Sequence, residues 1–412
     1  MREIELYQIL LDLTPPWRVT AVAVDSDVKV REILVSIEYP KGEILHCPKC
    51  EAVCPGYDHK PRRWRHLNTM QFKTLIESDV PRIECLEHGV LSIRIPWAED
   101  KSRFTALLEA YAINVLKAVR SKVQAVELTE LSWDQIDLIM DKAVERGMER
   151  RQIENLRYVG IDEKSFGKGH NYASILHDLD GRRVLDVVPE RTLEASKLLW
   201  ERIPEEQRKS VQAVAMDMWE NYMTAAGIYV PWADIVHDKF HCSRELGKGV
   251  DSVRKKEHRE LKAENDGDSV LNKTKYIWLK NPDNWTDGQR EQFQALKLDT
   301  LQVGRAWAIK EAFTDFWDYH YAGSARKFFD RWYFWATHSR LKPMIEAAKT
   351  LKRHLPGLLA YCKHRITNAA AEGMNSKIQL IKANVRGYRN FEKYRIAILF
   401  HCGRLDLYPA RA

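Results

Sequence analysis

Long apolar runs, a recognisable signal peptide, internal repeats and low-complexity tracts are all missing from this sequence of 412 residues. No run approaches the roughly 20 apolar residues that a membrane span needs, so no transmembrane segment is predicted. The first residues, MREIELYQILLDL, are acidic at their start and lack a cleavage site. We therefore expect no secretory leader and a cytosolic protein.

Cysteine is scarce, with seven residues, and in a cytosolic protein we expect them to be mostly reduced. Four potential ligands nevertheless form two close pairs, Cys47-x2-Cys50 and Cys85-x2-His88. Two such pairs favour a tetrahedral structural zinc site. Cys54 and His46 are rival ligands, and a turn with free thiols is the alternative to a metal site.

Charge is nearly balanced, since 65 basic against 58 acidic residues leave a net charge of +7. This mild excess permits a polyanionic partner without requiring one. After Glu372 the balance changes, because the remaining sequence has eight basic residues and only two acidic ones, Glu392 and Asp406. The eight are Lys377, Lys382, Arg386, Arg389, Lys393, Arg395, Arg404 and Arg411. Such a region either keeps a protein soluble or contacts a phosphate backbone.

The first 100 residues are β-rich in pattern, most clearly in VTAVAV, REILVSIEY and FKTLIESDVPRIEC. A basic run, PRRWRHL, lies among these predicted strands. Its candidate phosphate contacts are Arg62, Arg63, Arg65 and His66. The alternative for this run is an ordinary basic turn.

From residue 101 to 152 the apolar period becomes helical, and three helices are predicted. Ser132 and Gln135 form a capping box at the third helix, and the spacing is that of a helix-turn-helix. The third helix also carries Asp134, Asp137 and Asp141, and carboxylates repel phosphate. A plain three-helix bundle and a groove-reading motif therefore both remain open.

Residues 156–240 predict the order strand, strand, strand, helix, strand, helix, strand, with the first two strands paired in a meander. Two apolar strands end at a carboxylate, LRYVGID at Asp162 and VQAVAMD at Asp217. Buried carboxylates are costly unless they are paired, hydrogen-bonded or bound to a cation. Each is a candidate metal ligand, and the alternative is a cap for the following helix.

Residues 242–360 are almost wholly helical in pattern and hold six of the thirteen tryptophans. The six are Trp278, Trp285, Trp307, Trp317, Trp332 and Trp335. Aromatic stripes of this kind are typical of a packed core, so a helical insertion is predicted. Contact of one or two helices with single-stranded bases is the alternative.

One more helix is predicted in RITNAAAEGMNSKIQLIK. At about 100° per residue, Met374 and Ile378 share an apolar face, whereas Asn368 and Asn375 lie within about 60° of Glu372. A single carboxylate among amide, hydroxyl and small side chains suits a pocket. The alternative is a solvated surface helix.

Three carboxylates, Asp162, Asp217 and Glu372, could converge from two strands and one helix. Such a cluster can hold two Mg²⁺ ions about 3.5–4 Å apart, one for the attacking and one for the leaving oxygen. The cations would let an acidic pocket accept an anionic phosphodiester. We therefore expect a Mg²⁺ or Mn²⁺ site for phosphoryl transfer.

The element order, with carboxylates on the first and fourth strands, is similar to the ribonuclease H-like fold. The helical insertion before the glutamate resembles the DDE transposases of bacterial insertion sequences, in particular the family called IS-L-three. The segments that carry the resemblance are CPKC…CLEH, RRWRHL, VGIDEKSFGKG, AVAMDMWENY, IVHDKFH, KYIWLKNPDNW, EGMNSKIQLIKANVRGYRNFEKYR and FHCG. They occur in the family's order over nearly the whole chain. One departure is NAAAE, where the family pattern has Asn-Gly.

This resemblance implies a DNA transposase that hydrolyses a phosphodiester at its element's ends and joins the freed 3′-hydroxyl to target DNA. Asp162, Asp217 and Glu372 match the catalytic triad, and Asp238 with His241 match an Asp-x-x-His element near the scissile phosphate. The implied partners are double-stranded DNA, as terminal inverted repeats and target, and further copies of the chain in a homo-oligomer. The implied location is the nucleoid in the bacterial cytoplasm.

The expected architecture is an α/β, ribonuclease H-like catalytic domain with an all-α insertion, preceded by a β-rich zinc-binding domain and a helix-turn-helix. The expected boundaries are 1–100 for the zinc-binding domain, 101–152 for the helix-turn-helix, 153–241 and 361–412 for the catalytic core, and 242–360 for the insertion. In the last part, Lys377, Lys382, Arg386 and Arg389 are candidate DNA contacts. A nuclease that cuts without joining and an inactive DNA binder are the rival functions.

Overall fold

The computed structural model describes residues 2–25, 31–119, 121–167, 171–266, 268–296, 300–366, 369–385 and 387–410, with only the backbone for 369–372. These residues form two compact units. Unit 1 comprises Met1–Arg151, Asn384–Arg386 and Arg404–Ala412, and unit 2 comprises Gln152–Ala383 and Gly387–Gly403. Among the described residues, no helix has the length and apolarity that a bilayer crossing requires.

Unit 1 begins with a helix and a five-stranded sheet. The elements are α1 (Glu3–Leu10), β1 (Arg18–Asp25), β2 (Glu32–Glu38), β3 (Gly56–Arg65), β4 (Lys73–Cys85) and β5 (Gly89–Ser92). The order is β1-β2-β4-β3 with β5 also on β4, and only β2 and β4 run parallel. The three predicted strands are confirmed, whereas α1, β3 and β5 were not predicted. The PRRWRHL run is a strand and not a turn, because Trp64 pairs with Ile76 and is buried in the core.

Three helices complete unit 1, namely α2 (Ala106–Ala118), α3 (Lys122–Thr129) and α4 (Trp133–Arg150). The capping box at Ser132 is confirmed, since its hydroxyl accepts from the Gln135 N–H and the Gln135 side chain accepts from the Ser132 N–H. Asp137 of α4 forms an ion pair with Lys122. Part of the acidic charge on the third helix is therefore neutralised within the bundle.

Unit 2 has the predicted order of strands and helices with one extra helical turn. The elements are β6 (Tyr158–Ser165), β7 (Tyr172–Asp178), β8 (Arg183–Pro189), α5 (Leu193–Glu201), α6 (Glu205–Arg208), β9 (Ala213–Met216), α7 (Glu220–Tyr229) and β10 (Asp234–His237). The sheet order is β10-β9-β6-β7-β8. The strands β10, β9 and β6 are parallel, and β7 is antiparallel to β6 and β8.

The predicted helical region is also confirmed. Its helices are α8 (Lys239–Glu264), α9 (Lys275–Leu279), α10 (Asp287–Gln294), α11 (Gln302–Ala312), α12 (Ala322–Thr337), α13 (Lys342–Arg353) and α14 (Leu355–His364), with short 3₁₀ turns at Pro282–Asn284 and Phe313–Asp318. They are followed by α15 (Ala369–Asn384) and α16 (Phe391–Cys402). Trp278, Trp317 and Trp332 are buried as a packed core requires, whereas Trp335 is 45% exposed.

His177 lies on β7, the strand next to the edge strand β8 of the unit 2 sheet, and is fully buried. Neither ring nitrogen has a hydrogen-bond partner among the described residues. Burial, with a smaller contribution from Lys164, lowers the pKa of His177 to about 3. Protonation of this side chain therefore opposes folding.

We expect acid to destabilise unit 2 through His177. The unfolded chain takes up a proton below about pH 6.5, whereas the folded chain does so only near pH 3. The free energy of unfolding should therefore fall by about 1.4 kcal/mol per pH unit below pH 6.5 from this residue. Urea unfolding of His177→Met should lose that part of the pH dependence. Ile175→Met, a buried control on the same strand, should change the free energy of unfolding equally at pH 7.5 and 5.5. If the free energy of unfolding depended on pH equally in wild type and His177→Met, His177 would not be the cause.

Candidate active site and zinc-binding segment

Asp162 and Asp217 lie at neighbouring positions of the unit 2 sheet. In the parallel pair of β6 and β9, Ile161 stands opposite Met216, and each is followed by one of the two aspartates. The prediction that Asp162 ends its strand is wrong. The strand continues to Ser165, because the antiparallel ladder with β7 extends further than the parallel ladder with β9. The two carboxylates therefore share the sheet edge where the β9 ladder stops.

The Asp162 carboxylate is held by two hydrogen-bond donors and one ion pair. The Glu163 N–H donates to Oδ1 at 2.7 Å, and the Lys164 ammonium lies 3.8 Å from Oδ2. The Asn375 side-chain amide also donates to Oδ2. Since Asn375 is only 3% exposed and belongs to α15, that helix is fixed against Asp162.

Glu372 precedes Asn375 by one helical turn on α15. Residues three apart in a helix lie on the same face, so the backbone at Glu372 is on the side of α15 that carries the Asp162 contact. The Glu372 side chain and Asn368 lie outside what the structure describes. The predicted apolar face is confirmed, because Met374 and Ile378 are buried.

Asp217 is surrounded by groups from its own turn and from α8. The Met218 N–H donates to Oδ1 at 2.6 Å. Oδ2 faces two basic side chains, with Arg244 Nη2 at 3.0 Å and His241 Nε2 at 3.6 Å. Sequence reasoning missed Arg244. The available signal was its spacing, since it follows His241 by three residues and so lies on the same helical face.

The ends of β9 and β10 are tied together beside this site. His237 is buried, and its Nδ1 lies 3.3 Å from the carbonyl oxygen of Met216, the residue before Asp217. Burial lowers the pKa of His237 to about 4. The α14 helix packs closely on the His237 ring at Gly357, because a Cβ at that position would lie 2.4 Å from His237 Cδ2. Asp238, which follows His237 in the chain, caps α8 by accepting the Phe240 N–H at 3.0 Å.

In unit 1, Cys47, Cys50, Cys85 and His88 come together, with their ligand atoms all within 4.8 Å of one another. Cys50 Sγ lies 3.7 Å from Cys85 Sγ, and His88 Nδ1 lies 3.7 Å from Cys47 Sγ and 3.6 Å from Cys85 Sγ. Ligands at the usual Zn–S and Zn–N lengths on a tetrahedron are about 3.8 Å apart for two sulfurs and about 3.6 Å for sulfur and nitrogen. The spacing of the four groups therefore matches a tetrahedral zinc site.

The rival ligands do not belong to this group of four and have other hydrogen-bond partners. Cys54 Sγ donates to the Ala52 carbonyl at 3.4 Å, and His46 Nδ1 lies 3.0 Å from the Glu51 carbonyl. Burial raises the pKa of the Cys54 thiol. The backbone N–H groups that follow Cys85 lower the pKa of its thiol to about 7.

The candidate DNA contacts of unit 1 have different environments. Arg62 lies over the Trp64 ring at 4.9 Å, and the exposed Arg63 pairs with Glu77 at 3.1 Å. Arg65 donates to the His66 carbonyl at 2.5 Å. His66 itself is buried against Thr105, with 2.9 Å between Nδ1 and Oγ1, and burial lowers its pKa to about 4. We correct that assignment, because a buried neutral ring cannot face a phosphate.

The candidate DNA contacts near the C-terminus are partly engaged within unit 2. Lys377 donates to the His401 carbonyl at 2.8 Å, and Lys382 donates to the Ser165 carbonyl at 2.6 Å. Arg389 is exposed, and Arg386 lies outside the described residues. The Ser165 contact fixes the later turns of α15 to the end of β6.

A family model described as transposase, that of the IS-L-three insertion sequences, matches residues 159–398, which is more than half of the chain. The chain belongs to the IS-L-three family of DDE transposases. A second model, described as the zinc-finger of transposase IS204/IS1001/IS1096/IS1165, matches residues 45–88, which include all four clustered ligands. The resemblance seen in the sequence is confirmed.

Two curated relatives of this transposase extend over most of its length. It is 27% identical over 368 residues to the transposase for insertion sequence element IS1001 of Bordetella parapertussis, covering 87% of this chain and 89% of that one. It is 22% identical over 440 residues to the transposase for IS1557 in two strains of Mycobacterium tuberculosis, covering 100% of this chain and 98% of theirs. Family membership makes the protein an enzyme of DNA transposition with a zinc-finger segment.

Proposed function

We propose that this transposase cleaves and joins DNA at one site built from Asp162, Asp217 and Glu372. The observation that carries the proposal is the hydrogen bond from Asn375 to Asp162, which holds the glutamate-bearing helix against the sheet edge of the two aspartates. Three carboxylates from two strands and one helix are the donor set for two hard divalent cations. When bound, Mg²⁺ or Mn²⁺ would stabilise the charge of the attacking and leaving oxygens.

The surroundings of the carboxylates support a cation site. Each aspartate accepts a backbone N–H at Oδ1. Oδ2 accepts the Asn375 amide at Asp162 and faces Arg244 at Asp217, and a carboxylate oxygen has a second lone pair that can bind a cation. Both Oδ2 atoms already face positive side chains, Lys164 at Asp162 and Arg244 at Asp217. Two neighbouring carboxylates that already attract positive charge offer the oxygen ligands that Mg²⁺, a hard cation, prefers.

The sheet supports a ribonuclease H-like core. Its order β10-β9-β6-β7-β8, with three parallel strands followed by an antiparallel meander, is consistent with that fold, and the sequence predicted the meander pairing of β6 with β7. We keep the predicted catalytic parts of 153–241 and 361–412, separated by the insertion of 242–360.

The chain's own groups have distinct roles in this proposal. His241 would donate a hydrogen bond to a phosphate oxygen or to the leaving 3′-oxygen. Asp238 would fix the start of α8 and so the direction of His241, because it caps that helix. The carboxylates would hold the cations, which position the reacting groups and neutralise their charge, and no covalent protein intermediate is required.

End recognition would fall to unit 1. We propose a structural zinc ion on Cys47, Cys50, Cys85 and His88 within residues 1–100, and a helix-turn-helix in 101–152. Phosphate contacts would come from Arg62, Arg63 and Arg65, and further contacts from Lys377, Lys382, Arg386 and Arg389. Because two terminal inverted repeats and the target DNA must meet, a homo-oligomer on DNA is proposed.

The test is joining of a pre-cut end of the element to target DNA in the presence of Mg²⁺. We expect wild type to cleave intact ends and join pre-cut ends, each only with Mg²⁺ or Mn²⁺, and Glu372→Gln to do neither while still binding the ends. Cleavage without joining would favour a nuclease. Binding without either reaction in wild type would leave only a DNA-binding protein.

A further inference from the structure

Arg244 occupies the position at Asp217 that a cation would take. Its Nη2 lies 3.0 Å from Asp217 Oδ2, the oxygen left open after the Met218 N–H has engaged Oδ1. The side chain is 48% exposed, so it can leave without opening the core. The α8 backbone that carries it is anchored, because Cys242 and Leu246 are buried at 0% and 1% exposure. Only the side chain is therefore free to move.

A guanidinium and a divalent cation on the same carboxylate oxygen repel each other. Half-exposed ion pairs are weak, whereas a divalent cation held by several carboxylates is not, so metal binding should displace Arg244. The displaced side chain remains beside the reacting groups with its charge unpaired. Its planar set of N–H donors matches two oxygens of a phosphate, which an ammonium group does not.

We propose that Arg244 is a further catalytic residue that exchanges partners. It neutralises Asp217 before metal binding and binds non-bridging oxygens of the scissile phosphate afterwards. This inference rests on the proposed function, since it takes Asp217 as a metal ligand. Arg244 thus keeps the carboxylate cluster from self-repulsion in the free protein and then stabilises the charge of the phosphoryl group in the reaction.

The first test is Mn²⁺ binding to the DNA-free protein, measured by electron paramagnetic resonance. Arg244→Gln should bind Mn²⁺ about two- to fivefold more tightly than wild type, because a competing cation of modest strength is gone. Arg259→Gln is the matched control, since Arg259 is exposed on the same helix and, among the described residues, donates only to the Lys255 carbonyl. Its Mn²⁺ affinity should equal that of wild type.

The second test is single-turnover cleavage of end DNA at saturating Mg²⁺. Arg244→Gln should be about a hundredfold slower, as for loss of one donor to a developing charge, and Arg244→Lys should recover part of the rate. The inference is overturned by unchanged or weaker Mn²⁺ binding in Arg244→Gln, or by an unchanged cleavage rate. If wild type itself bound no Mn²⁺, or if Asp217→Asn bound it equally well, the proposed function would fail first.

Discussion

Asp217→Asn is expected to slow DNA cleavage by about a thousandfold or more while leaving the fold and DNA binding intact. Asparagine keeps the oxygen that accepts the Met218 N–H at 2.6 Å, so the turn after β9 persists. The substitution removes the negative charge that Arg244 and His241 face across Oδ2. Asp162→Asn should give the same loss, because Asp162 stands at the neighbouring position of the sheet.

The measurement is single-turnover cleavage of end DNA with Mg²⁺, alongside fluorescence anisotropy for binding. Asp234→Asn is the matched control, since Asp234 begins β10 at the opposite edge of the same sheet and pairs with Lys363 and His364 at 2.7 Å each. It should cleave at the wild-type rate. Wild-type cleavage by Asp217→Asn would exclude Asp217 from the chemistry and refute the proposed carboxylate site.

Cys85→Ser is expected to lower the zinc content from about one ion per chain to near zero and the melting temperature of unit 1 by on the order of 10 °C. Cys85 is the last residue of β4, and it belongs to the same core as Trp17, Trp64 and Trp97. The tryptophan rings pack edge to face at 4.9 and 5.3 Å. Loss of the metal should therefore loosen the sheet as well as the ligand loops.

Cys54→Ser is the control for this experiment. Cys54 belongs to the same core, yet its thiol donates to the Ala52 carbonyl and lies outside the ligand cluster. We expect full zinc content by elemental analysis and a melting temperature near that of wild type. Zinc loss in Cys54→Ser, or retention in Cys85→Ser, would exchange the ligand assignment between the two cysteines.

Local sequence was enough to predict the strands of both sheets that are apolar on at least one face, because their apolar side chains repeat with a clear period. It failed for β3, whose residues are mostly polar and exposed until Trp64. That strand forms because a long neighbour, β4, offers a pairing edge. Pairing with a neighbour also explains why the end of β6 was predicted too early. The apolar run stops at Asp162, but pairing with β7 extends the strand to Ser165.

The sequence by itself determined the family, the two ligand pairs at 47–50 and 85–88, and the two aspartates, because spacing and residue type carry that information along the chain. Tertiary structure alone decided which side chains from distant parts of the chain come into contact. It placed His88, and not His46, beside the three cysteines, and it buried His66 against Thr105. It also brought Asn375 to Asp162 and Arg244 to Asp217. Those contacts join residues distant in sequence or on separate elements, and only packing of the elements fixes such distances.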